Sequence, residues 1–408
     1  MNLFFKPEEV QAPELREQTL MSGLSDFLSY SRRSCQYYQN TLAGIDLSKV
    51  DNRAALAALP ITRKSDLIEL QKIDMPFAGI VPEAKRPERV FQSPGPIYEP
   101  EFDKQDWWRL GQAFYAADFR AGDVVQNCLS YHLTPGGFIL DSGARACGCS
   151  VIPAGPGQGE LQLEMIENLR PNGYCGTPSF LHILLEKAKE HGKDISSISK
   201  ALVTGEALSA QLRATFELAD IQVKQAYATA DIGLIAYESV ADEGLVVAED
   251  IILEIVRPGS LEPVSRGEVG EVVITRLDKD YPLIRFATGD LSAELSGQSP
   301  CGRTNMRIKG WLGRADQTTK VKGLFIHPEQ VERIRLAHAG IAKVRLVVSK
   351  DDHKDCMCLM CELTDASICL DGQAVQETIR AFTQLSGTVK FVTAGSLPDD
   401  GVVIDDQR

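Results

Sequence analysis

From about residue 88 onward, short β-rich runs alternate with helical stretches, and this alternation constrains the fold more than any other feature of the chain. The runs include Asp123-Val-Val, Ser150-Val-Ile, Ala201-Leu-Val and Ile221-Gln-Val, and the helical stretches cover 104–118, 161–169, 179–190 and 208–217. Strand then helix, repeated, implies βαβ units with parallel strands. Residues 1–75 read as helical, with Thr62 as an expected N-cap and Asp66 near the first turn. The stretches 251–257 and 270–276 alternate apolar and polar residues with no long helix between them, which predicts an antiparallel, barrel-like segment. A boundary is expected near Gly313. Beyond it the order reads strand, helix 328–338, strands 343–349 and 356–363, helix 372–384, strand 389–394, a small α+β module with a mostly antiparallel sheet. The expected fold class is α/β. A large N-terminal domain over 1–313, built of βαβ units plus the barrel-like segment, precedes a small α+β C-terminal domain over 314–408.

The chain has 408 residues, 44% of them hydrophobic, enough for a large core and, at ~100–200 residues per domain, two or three domains. A formal net charge of −13 argues against general nucleic-acid binding but leaves room for a local cleft that takes an anionic cofactor. No stretch reaches the ~18 uninterrupted apolar residues that cross a bilayer. Met1–Val10 carries Lys6, Glu8 and Glu9 and lacks the apolar region of a signal peptide. A cytoplasmic enzyme without a membrane partner is the default expectation. Ten cysteines spread over the chain read as free, buried thiols. Two groups, Cys147-x-Cys149 and Cys356-x-Cys358-x-x-Cys361, lack the second ligand pair of a zinc finger. In a strand, Cys356 and Cys358 share one face and Cys361 takes the other, so the three cannot converge on a metal. Core packing is the expectation for both groups.

Six segments carry the chemistry, in a set order along the chain: Gly176-Thr-Pro-Ser-Phe180, Thr204-Gly-Glu-Ala207, Ala226-Tyr-Ala-Thr-Ala-Asp231-Ile-Gly, Arg266-Gly-Glu-Val-Gly-Glu271, Phe286-Ala-Thr-Gly-Asp290-Leu, and Gly313-Arg-Ala-Asp-Gln-Thr-Thr-Lys-Val-Lys-Gly. An Asp behind Thr-Gly at a strand end can accept two hydrogen bonds from a sugar diol. A Tyr at a strand end can stack on a flat base, and a glycine opposite lets backbone approach that base. Taken alone, these are also an Asp in a tight turn, a core tyrosine and a plain βα turn.

The ordered set resembles the adenylate-forming (AMP-binding) superfamily, and within it the phenylacetate–CoA ligases. Leu59-Pro-Ile-Thr-Arg-Lys-Ser-Asp66-Leu, Glu249-Asp250 and Ser396-Leu-Pro fit that branch. The resemblance implies an AMP-forming aryl- or acyl-CoA ligase that uses ATP, Mg²⁺ and CoA on a small carboxylic acid, aromatic by analogy, and it allows a homodimer. It assigns nucleotide binding to Gly205, Glu206, Ala207, Tyr227, Ala228, Asp290 and Arg314, Mg²⁺ to Asp231, and a hinge to Asp316, about which the small domain would rotate. Tyr131, His132, Gly136 and Phe138 fall where the family builds the acyl pocket; His132, Asp231 and Lys320 are the catalytic candidates.

Two departures stand out. In place of the family's Ser/Thr/Gly phosphate loop with its Lys, the chain has Phe91-Gln-Ser-Pro-Gly-Pro-Ile-Tyr-Glu-Pro100, in which only Ser93 and Gly95 suit an anion and Glu99 is expected to repel triphosphate. Val402 stands where the family places its C-terminal catalytic Lys, with Asp399, Asp400, Asp405 and Asp406 nearby. Some relatives hold a structural zinc with three Cys and one His. Only Cys301 remains, with Ser299, Ser239 and Val246 in the other places, so no zinc is expected. Three readings stay open: the ligase, a divergent member that binds nucleotide or acyl-adenylate without ATP-dependent adenylation, and a non-catalytic binding protein.

Overall fold

Five strands run parallel in the computed structural model, in the spatial order Ser150–Pro153, Val124–Asn127, Gly173–Gly176, Lys200–Val203 and Gln222–Thr229. The structure describes every residue except 1–2, 94–95, 261, 316, 323, 352–353, 366, 369 and 399, with backbone alone at 320, 325, 351 and 354. Between the parallel strands run the helices Gly136–Ala146, which the sequence reading does not include, and Gly159–Leu169, Pro178–His191 and Ala210–Leu218, which match the stretches expected at 161–169, 179–190 and 208–217. The best-signalled of them is Pro178–His191. Thr177 caps it by accepting from Phe180 N–H, Pro178 needs no donor in the first turn, and Gly192 ends it at φ +63°. Its face of Leu181, Leu184 and Ala188 packs with Leu163, Ile166, Tyr174 and Phe216 into one buried cluster. Beyond Gln222–Thr229 the sheet turns antiparallel, through Gly233–Glu238, Leu245–Val247 and Arg307–Ile308.

The chain divides into two compact units: 1–253 with 274–286 and 295–311, and 254–273 with 287–294 and 312–408. Three strands, Ile251–Val256, Val269–Arg276 and Leu283–Leu295, are successive neighbours and give residues to both. In the second unit, helices Pro328–Ala337 and Gly372–Thr383 bury Val331, Ile334, Val375 and Ile379 against Leu346, Leu359 and Cys361 of a four-stranded sheet. That sheet departs from the expected one. Ile341–Asp351 and Lys354–Leu363 pair antiparallel, but Thr388–Val392 and Ile404–Asp406 each join in parallel, because a helix or a long loop precedes each of them.

Local corrections follow from backbone geometry. The helix expected over 104–118 shrinks to Gly111–Ala116, since Asp106 and Arg109 adopt φ of 52° and 64°, which no helix tolerates. Asp106 instead accepts a hydrogen bond from Gly111 N–H at 2.9 Å, ahead of that helix. Thr62 is not an N-cap: it lies in the short strand Thr62–Arg63, and a single 3-10 turn separates it from the helix Leu67–Ile73. Cys147, Cys149 and Cys361 are buried, whereas Cys356 is exposed and Cys358 half-buried on the outer face of their strand. No helix among the described residues is long and apolar enough to cross a membrane.

Candidate active site

In open parallel sheets, ligands settle outside the carboxyl ends of the strands. In the first unit those ends lead into the segments singled out above. Lys200–Val203 leads into Thr204 and the exposed turn Gly205-Glu206-Ala207, with Gly205 at φ +82°. A Cβ there would meet only the Thr177 methyl at 3.6 Å, so the left-handed backbone rather than space calls for glycine. The Glu206 carboxylate receives the Ser179 N–H at 3.4 Å, tying the turn to the start of Pro178–His191. Tyr227 is buried and Ala228 half-buried near the end of their strand, with Tyr227 opposite Ala236.

Next along the chain, Asp231 is completely buried and receives the Lys64 ammonium at 2.5 Å. Its Oδ1 has no hydrogen-bond partner among the described residues. The degenerate phosphate loop folds as a hairpin, Arg89–Ser93 paired with Ile97–Glu101; Pro94 and Gly95 lie outside the described residues. Ser93 belongs to that hairpin: its hydroxyl donates to Glu99 Oε1 and its N–H to Glu99 Oε2 at 3.2 Å. Burial, and then the charge of Asp231, push the Glu99 carboxyl up to about 8. Glu99 is therefore largely neutral at pH 7, and the expected repulsion of triphosphate is weaker than a surface glutamate would cause. These residues also test the magnesium assignment. Mg²⁺ asks for octahedral oxygen donors at close range. Asp231 offers one carboxylate already neutralised by an ammonium, beside a protonated Glu99, and that donor set does not fit the ion.

The acyl-pocket candidates form an aromatic wall. Tyr131 and Phe138 meet edge-on at 5.1 Å, Phe138 and Phe91 at 5.2 Å, and Phe91 and Trp108 at 6.0 Å. Asn127 Nδ2 donates to the Tyr131 hydroxyl at 2.7 Å and fixes that ring. The Arg89 guanidinium covers Phe138 at 5.2 Å. Gly136 has ordinary packing. The constrained glycine is its neighbour Gly137, where a Cβ would lie 2.6 Å from the Tyr131 ring. His132 is exposed, its N–H on Ser130 Oγ.

In the second unit, Arg314 Nη1 donates to Asp290 Oδ1 at 2.8 Å across an isolated antiparallel bridge. Gly289, at φ +74°, lets the guanidinium lie against the backbone: a Cβ there would come within 2.6 Å of Arg314 Nη2. Asp290 is largely buried and Arg314 half-exposed. Asp316 lies outside the described residues, as does the side chain of Lys320, whose backbone belongs to the strand Thr319–Val321. Val402 lines a surface pocket with Arg257, Lys343 and Arg345. Of the acidic residues beside it, Asp400 receives Arg345, and Asp406 receives Thr319 and Arg408.

Lys64, Glu99, Phe91 and Trp108 were not singled out as site residues from the sequence. Lys64 is visible only as part of the run around Pro60-Ile-Thr, 167 residues from its partner. Ser239, Ser299 and Cys301 lie together, and no group of three or more His, Cys, Asp or Glu that could hold a metal gathers among the described residues.

A family model described as AMP-binding enzyme matches residues 107–276. Phenylacetate-coenzyme A ligase of Thermus thermophilus is 28% identical over 82% of this chain and 78% of its own length. The enzyme of the same name from Escherichia coli (strain K12) is 26% identical over 87% of this chain and 85% of its own. Among solved structures, an open conformation of 2-hydroxyisobutyryl-CoA ligase in complex with 2-HIB-AMP and CoA superposes with a TM-score of 0.73 at 21% identity, covering 97% of this chain and 92% of that one. That likeness shows a shared fold over the whole length, and the six ordered motifs lie within it. Residues 107–276 thus match the AMP-binding enzyme family, and over most of its length the chain is similar to phenylacetate-coenzyme A ligases.

Proposed function

We propose that this chain is an AMP-forming acyl-CoA ligase for a small carboxylic acid, aromatic by preference. The carboxylate attacks the α-phosphorus of ATP and pyrophosphate leaves; the CoA thiolate then attacks the acyl carbon and AMP leaves. The observation that carries this reading is the match to phenylacetate-coenzyme A ligases over 82% of the chain. The aromatic cluster of Phe91, Tyr131, Phe138 and Trp108 supports an aromatic acid, since the half-buried rings of Tyr131 and Phe138 offer an apolar surface on which a flat ligand can pack.

The roles of individual residues are part of the proposal. The turn Gly205–Ala207, Tyr227 and Ala228 would flank adenine. Asp290, oriented by Arg314, would accept from the ribose hydroxyls. Lys320 and His132 remain the candidates for a phosphate cation and for a group near the acid. Asp231, paired with Lys64, is given a structural and electrostatic part, and no step runs through a magnesium ion on it. Rotation of the small domain, 314–408, about Asp316 belongs to the same proposal, as do a homodimer and a cytoplasmic location.

The test is to incubate the chain with ATP, CoA and phenylacetate, or a panel of aryl acids, and to follow acyl-CoA and AMP by mass. Equimolar acyl-CoA and AMP are expected. Acid-dependent products that lack AMP, or no product with any acid, would contradict the assignment.

A further inference from the structure

Cys301, which lies with Ser239 and Ser299, has a built environment that the proposed reaction does not use. Its Sγ is 3.1 Å from Ser299 Oγ and 3.1 Å from Ser239 Oγ, and Arg303 Nη1 donates to it at 3.4 Å. The thiol donates to Ser239 Oγ; once the sulfur ionises, the Ser239 and Ser299 hydroxyls can turn a hydrogen to it beside the Arg303 guanidinium, which favours the thiolate over the thiol. Burial alone would raise this thiol, but hydrogen bonds with Ser239, Ser299 and both the side chain and backbone of Arg303 outweigh it and bring it down to about 7. Cys35 and Cys361, which lack such donors, are pushed up to about 12 by burial. Cys301 is also partly exposed, so a small reagent can reach it.

The second observation concerns Arg303. It is 4% exposed, and its Nε is taken by Glu9 Oε2 at 2.7 Å and the Tyr237 hydroxyl at 3.0 Å. Its Nη2 has no hydrogen-bond partner among the described residues. A buried, charged N–H without an acceptor is costly. This one shares an edge of the planar fork with Nη1, the atom on the sulfur, so an oxygen carried by that sulfur is the acceptor the arrangement lacks.

We propose that Cys301 is an oxidation site for a small hydroperoxide, with Ser239, Ser299 and Arg303 activating the sulfur and Arg303 receiving the oxygen added to it. The thiolate attacks one peroxide oxygen, the S–O bond forms and the O–O bond breaks. Sulfur is oxidised by two electrons to the sulfenic acid, and the departing oxygen, reduced to hydroxide or alkoxide, takes a proton from solvent. Because the same guanidinium holds Glu9, the added oxygen is felt at the N-terminal turn Pro7–Val10.

The test treats the full chain with limiting hydrogen peroxide near neutral pH, traps sulfenic acid with dimedone, and maps adducts at Cys301 and at the exposed Cys356. Adduct at Cys301 is expected at least about tenfold faster than at Cys356, and about tenfold slower in the Ser239→Ala/Ser299→Ala variant. Equal rates at the two cysteines, or a variant as fast as the parent, would overturn the proposal. Iodoacetamide labelling of the unaltered chain gives a readout that needs no variant. Its half-maximal rate at Cys301 is expected at least about one pH unit below the ordinary thiol value of about 8.5, and a midpoint at or above that value would overturn the proposal as well.

Discussion

Glu99 shows most plainly how burial rewrites a side chain's meaning. As a letter in the sequence it is a negative charge in a loop that should hold phosphates. In the fold it is a buried acid on the Ser93 hydroxyl, with its titration pushed up to about 8. A carboxyl whose folded value lies above its unfolded value of 4.5 contributes stability in its protonated form, fully below about 4.5, and loses it as pH rises towards 8. Glu99→Gln should remove that loss. We expect urea melts of parent and variant to differ little near pH 5 and to diverge by on the order of 1–3 kcal/mol near pH 9, the variant being the more stable. A constant difference across that range would contradict the raised value. Asp290 makes a different test. Its partner Arg314 is about half exposed, so Asp290→Ala should cost about 1 kcal/mol or less in stability. Loss of a charge-assisted bond to a sugar diol should instead raise the KM for ATP by about tenfold or more, and an unchanged KM would remove the ribose role.

At the level of elements, the helix Pro178–His191 carries its own start and stop signals and a buried leucine face. Leu184→Ala removes a fully buried side chain from that face and should cost about 2–5 kcal/mol in unfolding free energy. Thr177→Ala removes the cap alone and should cost about 1 kcal/mol. Thermal or urea melts that reversed this order would show that the helix is held differently. The hairpin of Arg89–Ser93 and Ile97–Glu101 was harder to read. From the sequence it reads only as a degenerate phosphate loop, yet Phe91 is buried and meets Phe138 at 5.2 Å. Where the start of Gly136–Ala146 meets this wall, Gly137→Ala would drive a methyl into the Tyr131 ring. We expect a loss of about 1–3 kcal/mol together with weaker binding of the acid, and wild-type affinity would argue that Tyr131 does not line the acyl pocket.

Over the whole molecule, what could be read early was what local pattern encodes. The βαβ alternation and the strand runs in 341–363 appear where periodicity places them. What stayed hidden depends on contacts remote in sequence. Lys64 and Asp231 are 167 residues apart, and no local feature announces that an ammonium fills the place expected for a metal. The pairing directions in the C-terminal sheet were misjudged for a related reason: the edge strands Thr388–Val392 and Ile404–Asp406 are reached after a helix and a long loop, not by tight turns. The candidate site was legible as an ordered list of motifs, while its charges and its aromatic wall emerged only once the strands were laid side by side. ATP–pyrophosphate exchange with the unaltered chain tests the central claim most directly. We expect labelled pyrophosphate to enter ATP only when an aryl carboxylic acid is present and before any CoA is added. Exchange that is absent with every acid, or that proceeds without one, would contradict adenylate formation by this chain.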